Sequence, residues 1–98
     1  MALSTTKWEK YAAESRVYGF DFAANLDEGE TITAATWSIA IDGGASVPAM
    51  LSGSSSSSGS ITRQRIVGGT VGTLYQVTAT ATTSAGNTLV GRQLLLIG

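Results

Sequence analysis

The stretch Val67-Gly68-Gly69-Thr70-Val71-Gly72-Thr73-Leu74-Tyr75-Gln76-Val77-Thr78-Ala79-Thr80-Ala81 decides the fold. Three glycines within five residues mark a tight reversal of the chain, and a strictly alternating run follows at once. Leu74, Gln76, Thr78, Thr80 and Thr82 share one face, while Tyr75, Val77, Ala79 and Ala81 share the other. Side chains alternate faces along an extended strand, so this is a half-buried antiparallel strand entered through a corner. A tyrosine at such a corner predicts a hydroxyl bonded back to the backbone just upstream. Tyr75 and Gly72 are therefore read as structural residues.

Toward the C-terminus, Ser84-Ala85-Gly86-Asn87 reads as a hairpin turn and Thr88 to Ile97 as the final strand. Leu94 and Leu96 fall on one face of it, Leu95 and Ile97 on the other. A sheet strand with one wet face should not be apolar on both. Either the chain end is tucked into the domain or its outer face is covered by another protein. The second reading makes Leu95 and Ile97 candidate interface residues.

Toward the N-terminus, Tyr18, Phe20 and Phe22 alternate with Val17, Gly19 and Asp21 as a strand, and Asp27-Glu28-Gly29-Glu30 makes a turn. Thr31 to Ile41 is the next strand, with Trp37, Ile39 and Ile41 on one face. Ile32 is out of phase with Trp37, which predicts a bulge near Ala34 and Ala35. Asp42-Gly43-Gly44 closes that strand. Ala45 to Leu51 is a weaker, edge-type strand because it contains Pro48. Ser52 to Ser60 reads by composition as a flexible surface loop, and Ile61 to Val67 resumes a strand. Residues 1–15 form a polar arm ahead of a domain spanning 16–98. Trp8 and Tyr11 on that arm are expected to dock on their own domain or on a neighbouring subunit.

These elements sum to an all-β fold: an immunoglobulin-like or fibronectin-III-like antiparallel β-sandwich of about seven strands with a short N-terminal arm. Tyr18, Phe20, Phe22, Trp37, Ile39, Val77 and Ala79 are its expected core, with Tyr75 at the corner. At 98 residues the chain makes one domain, which buries about 60–65% of the surface its unfolded form exposes.

Composition excludes several functions. Only 13% of residues are charged, about half the usual quarter, which fits either a surface covered in an assembly or one kept wet by hydroxyls. Six basic and seven acidic residues leave a net charge of −1, so no field exists to attract nucleic acid or an anionic membrane. The N-terminus lacks the apolar run of a secretory leader, and Leu94 to Ile97 is too short to span a bilayer, so synthesis and use without export are expected.

With neither histidine nor cysteine, the commonest general base, thiol nucleophiles and most transition-metal sites are absent. The acidic turn of Asp27, Glu28 and Glu30 lacks the ligand ladder of a calcium loop and reads as solvated. Gly68 to Gly72 leads into a strand, not the helix that a phosphate loop requires. Trp37 and Tyr75 fall on core faces, which argues against a sugar platform. No enzyme, cofactor or metal is expected.

Several segments together carry a resemblance. Lys10-Tyr11-Ala12-Ala13-Glu14-Ser15-Arg16-Val17-Tyr18-Gly19-Phe20-Asp21-Phe22 resembles the opening of small structural proteins of tailed bacteriophages. Gly29-Glu30-Thr31-Ile32 leading to Thr36-Trp37-Ser38-Ile39 is similar to their second strand. Val67 to Tyr75 and Thr82-Thr83-Ser84-Ala85-Gly86-Asn87-Thr88 resemble their most recognisable part, and Arg92 falls where their final strand carries an arginine. That family, the phage fibre–tail adaptors, implies a virion structural protein of the tail or neck, made in the host cytoplasm. It would attach fibres or collar to the tail as a homo-oligomer or ring contacting other virion proteins. A capsid decoration protein and a carbohydrate-binding module for host attachment are the alternatives.

Overall fold

The computed structural model of the protein describes residues 7–98; the first six residues of the expected arm lie outside them. Seven strands follow in order: β1 Trp8–Lys10, β2 Ser15–Asp21, β3 Ile32–Ile41, β4 Leu51–Ser58, β5 Ile61–Val67, β6 Leu74–Thr83 and β7 Thr88–Ile97. They form two sheets, ordered β1-β7-β6-β3 and β2-β5-β4. The β7-β6-β3 set facing a β2-β5-β4 set is the strand arrangement of an immunoglobulin-type sandwich. The expected all-β sandwich is therefore observed. One pair departs from antiparallel: β1 runs parallel to β7, with Trp8 opposite Leu95 and Lys10 opposite Ile97.

Aromatic side chains from both sheets fill the interior. Tyr18, Phe20, Phe22, Trp37, Ile39, Val77 and Ala79 are all buried. Trp8 stacks on Tyr18 at 4.6 Å between ring centroids, and Phe20 lies 5.1 Å from Trp8 and 5.2 Å from Trp37. Such contacts add about 0.5–1.5 kcal/mol per pair beyond area burial. The Phe20 ring occupies the space where Gly91 lacks a side chain; a Cβ there would lie 2.8 Å from it. The Trp37 indole N–H donates to Thr62 Oγ1 at 3.0 Å, and that hydroxyl donates to the Ser56 carbonyl at 3.2 Å. The indole's one polar group is thus satisfied inside the core, as burial requires.

The corner forms as the opening stretch predicts. The Thr70 N–H donates to the Tyr75 hydroxyl at 2.9 Å, while the ring is 3% exposed. Gly72 takes φ +82° and donates its N–H to the Ile97 carbonyl at 2.8 Å, fastening the turn to the end of β7. Tyr75→Phe removes one hydrogen bond and leaves the Thr70 N–H to find another acceptor. We expect a loss of about 1 kcal/mol, read as a fall in melting temperature of roughly 4–8 °C for a domain this size. An unchanged melting point would show that the bond is not formed in solution.

Two expectations are corrected. Ala45 to Leu51 is not a strand: Ser46 makes one bridge to Ala40, and Pro48–Met50 is a 3-10 turn. Proline fixes φ and has no N–H for a ladder, so it starts the turn. The serine tract is not a loop but most of β4. Its conformation is imposed by its neighbours. Ser52 pairs with Arg65 and Ser56 with Arg63, so Gly53 to Ser55 bulge opposite Gln64 alone. The buried Gln64 amide reaches the Ser52, Gly53 and Arg65 carbonyls at 3.0–3.1 Å, satisfying acceptors that the bulge removes from the ladder. Ser55 Oγ donates to the Ala35 carbonyl at 3.3 Å and ties the bulge to the opposite sheet. The bulge expected near Ala34 is present, as a register shift between Ile32 and Ala34 of β3.

Candidate interaction surfaces

The face of β7 that meets the core follows from its register. Tyr75 pairs with Leu95 and Val77 with Gln93, so Leu95, Gln93 and Gly91 point inward with the core side of β6. Leu95 and Ile97 are fully buried. They are core residues of this domain, which corrects the expectation that placed them at an interface. Their burial has a local cause: β1 covers them along the edge, and Ile97 is seated directly on Gly69, where a Cβ would stand 2.7 Å from its side chain.

The outward face is Leu94 and Leu96, both half-buried. Leu96 is directly opposite Leu74, and Leu94 is opposite Gln76. Cross-strand rows continue as Thr78 with Arg92, Thr80 with Val90, and Thr82 with Thr88. On the other side of β6, β3 adds Ala40, Ser38, Thr36 and Ala34 in register with Gln76, Thr78, Thr80 and Thr82. This sheet face is apolar at one end and hydroxyl-lined over the rest. Among the described residues of β3, β6 and β7, Arg92 is the only charged one, with Glu9 at the margin beside Leu96.

Trp8 and Tyr11, the two aromatic interface candidates, part company. Trp8 is half-buried and packed into the aromatic core, whereas Tyr11 is 68% exposed. Tyr11 stands at one end of the sandwich, beside an open groove of about 390 Å³ lined by Glu9, Lys10, Glu14, Arg16 and Gly98. Glu14 accepts the Tyr11 N–H at 2.8 Å. The buried Lys10 ammonium donates to the Tyr11 and Gly68 carbonyls, joining β1 to the glycine corner. Burial, its main perturbation, pulls the Lys10 pKa below the ordinary lysine value, partly opposed by Glu14 and Tyr75.

At the opposite end, sequence reading missed Glu30. It belongs to the acidic turn read as solvated, yet it is buried. Its carboxylate accepts bonds from the Thr83 hydroxyl, the Asp27 N–H at 2.8 Å and the Asn87 amide at 2.9 Å. Those donors, the Thr83 hydroxyl first, hold its pKa below the ordinary glutamate value of 4.5. A depressed folded value gives stabilisation that is complete above pH 4.5 and is lost as pH falls through the folded pKa. We expect Glu30→Gln to melt below the wild type at pH 7, with the gap narrowing as pH falls below 4.5 and through the depressed folded pKa. A gap independent of pH would remove the carboxylate from the explanation.

Two acidic side chains near these surfaces are engaged within their own turns. Glu30 is occupied by its own turn, and Asp21 accepts the Ala23 N–H and the Ser60 hydroxyl. Trp37 and Tyr75 are inside, leaving Tyr11 as the strongly exposed aromatic among the described residues. Among those residues no group of three or more acidic side chains could hold a metal ion. A search of the curated proteins finds no match. A family model described as podophage GP4 fiber-tail adaptor protein gp77 matches residues 10–95, nearly the whole described chain. The charge-poor sandwich face, the glycine–tyrosine corner and that match agree: the chain belongs to the podophage fiber-tail adaptor family, structural proteins of the virion.

Proposed function

We propose that the protein joins a fibre or collar component to the phage tail, and that it docks through the outer face of β3, β6 and β7. The observation that carries this reading is the composition of that face. Leu74, Leu94 and Leu96 adjoin a field of alanine, serine and threonine, interrupted by one arginine. Charge depletion over a continuous patch is what separates the centre of a protein–protein interface from ordinary surface. Small side chains on a sheet also make a flat surface that a second protein can approach closely.

A carbohydrate-binding role would require exposed, coplanar aromatics, and the two tryptophans are instead packed in the core. The experiment is to locate the protein in intact particles by cryo-electron microscopy and to measure incorporation of a Leu94→Ser/Leu96→Ser variant. Density between tail and fibre, lost together with the variant, is the expected result. Density on the head shell would make it a decoration protein instead.

A further inference from the structure

We propose that the open edge of β7 is a strand-binding surface whose occupant is this chain's own N-terminal arm. Residues 2–7, of which 2–6 lie outside the described residues, continue β1 in parallel along that edge. The inference is independent of which protein meets the outer face of the sheet.

The edge is open in a specific way. β1 covers β7 only from Leu95 to Ile97, so among the described residues Thr88 to Leu94 pair with β6 alone. The Gly98 N–H donates to the Lys10 carbonyl, whereas the Ile97 N–H donates to the Thr73 carbonyl on the β6 side. Backbone groups alternate sides along a strand, so the N–H groups of Leu94, Arg92 and Val90 point to the uncovered edge. Such an edge is a template for another strand, and native proteins cover or blunt it.

A second observation marks the same place. Gln93 is 3% exposed, and its side-chain Oε1 has no hydrogen-bond partner. Leaving a buried acceptor unpaired is costly, and native structures satisfy most of them. Gln93 is on the inward side of β7, two residues before Leu95 and just past the end of β1.

Register identifies the occupant. Trp8 is opposite Leu95. Counting back from that pair places Lys7 opposite Leu94, Thr6 opposite Gln93, Ser4 opposite Gly91 and Leu3 opposite Val90. Alternation puts Thr6 on the inward side with Trp8, where its hydroxyl donates to Gln93 Oε1. Ser4, also inward, is small, and the space at Gly91 is already filled by the Phe20 ring. Leu3 falls outward against Val90, which is 41% exposed. No proline interrupts residues 2–7, so each has an N–H for the ladder. A slip of one residue would turn Thr6 outward, and the Trp8 pairing prevents it. Attachment at Trp8 also holds the arm at this edge at an effective concentration that a second copy must outcompete.

The test is amide hydrogen exchange by NMR on the full 98-residue chain beside a variant lacking residues 2–6. The Leu94, Arg92 and Val90 amides are expected to exchange about tenfold more slowly, or more, in the full chain. The Gly91 and Gln93 amides face β6; equal protection there shows that the shortened domain is folded. Equal exchange of the three edge amides in both proteins overturns the proposal. If the shortened chain does not fold, Ser4→Pro gives the same reading. It should release Arg92 and Val90 while Leu94, nearer Trp8, stays slow, and unchanged exchange at all three overturns the pairing. Thr6→Val should melt below the wild type, Thr6→Ser near it, and a Gln93→Leu background should erase the Thr6→Val difference. A Thr6→Val loss that persists in that background overturns the register. Edge protection that rises with protein concentration assigns the strand to a second copy and overturns the pairing within one chain.

Discussion

Replacing Gly69 by alanine is expected to lower the melting temperature on the order of 20 °C. Two separate penalties act at this residue. Gly69 holds φ at +102°, a conformation that residues with a side chain rarely adopt, and forcing one there costs about 1–3 kcal/mol. The added Cβ would also lie 2.7 and 2.8 Å from the Ile97 Cγ1 and Cδ1 atoms and 3.1 Å from the Met50 methyl. Met50 can swing its tip aside, but Ile97 is fully buried and held by the core. Overpacking of that kind costs about 1–3 kcal/mol. The sum, roughly 2–6 kcal/mol, is a large share of the 5–15 kcal/mol that keeps such a domain folded.

Gly72 supplies the control. Its φ is +82°, and a Cβ added there would meet nothing within 4 Å, so Gly72→Ala should lose only the conformational part. In an Ile97→Ala background the clash disappears and Gly69→Ala should cost only its strain, a coupling of about 1–3 kcal/mol in a double-mutant cycle. If Gly69→Ala melts no lower than Gly72→Ala, Ile97 does not sit on the glycine.

How much of this is legible in the sequence depends on how local each determinant is. The corner and β6 are readable because glycine conformation, alternation and the tyrosine all lie close together along one short stretch. The β3 bulge is readable for the same reason, as a break in phase between Ile32 and Trp37. The serine tract misleads because composition reports the chain's own preferences, whereas β4 is held by β5 and by the Gln64 side chain. Glu30 reads as solvated because its partners Thr83 and Asn87 are 53 and 57 residues away. Trp8 belongs to a polar arm by sequence, and only the fold brings its ring against Tyr18. In the last strand, alternation shows that Leu95 and Ile97 share a face, but not which face meets the core, since both are apolar.

That last ambiguity has a decisive experiment. The Leu95→Ser/Ile97→Ser pair is expected to abolish cooperative unfolding at room temperature, while Leu94→Ser/Leu96→Ser should fold and melt near the wild type. Truncating a fully buried leucine or isoleucine to alanine costs about 2–5 kcal/mol, and serine adds a hydroxyl that needs a partner. Two such losses consume most or all of the roughly 5–15 kcal/mol available, even if proximity makes them less than additive. Leu94 and Leu96 are half-buried on the open face, so each serine there forfeits about 1 kcal/mol or less. Circular dichroism melts of the isolated domain read the first difference, and incorporation into particles reads the second. A folded Leu95→Ser/Ile97→Ser variant with a wild-type melting point would invert the assignment of faces. The two leucines that fail to affect folding are the ones free to act in assembly, because a side chain already committed to its own core has no surface left to offer a partner.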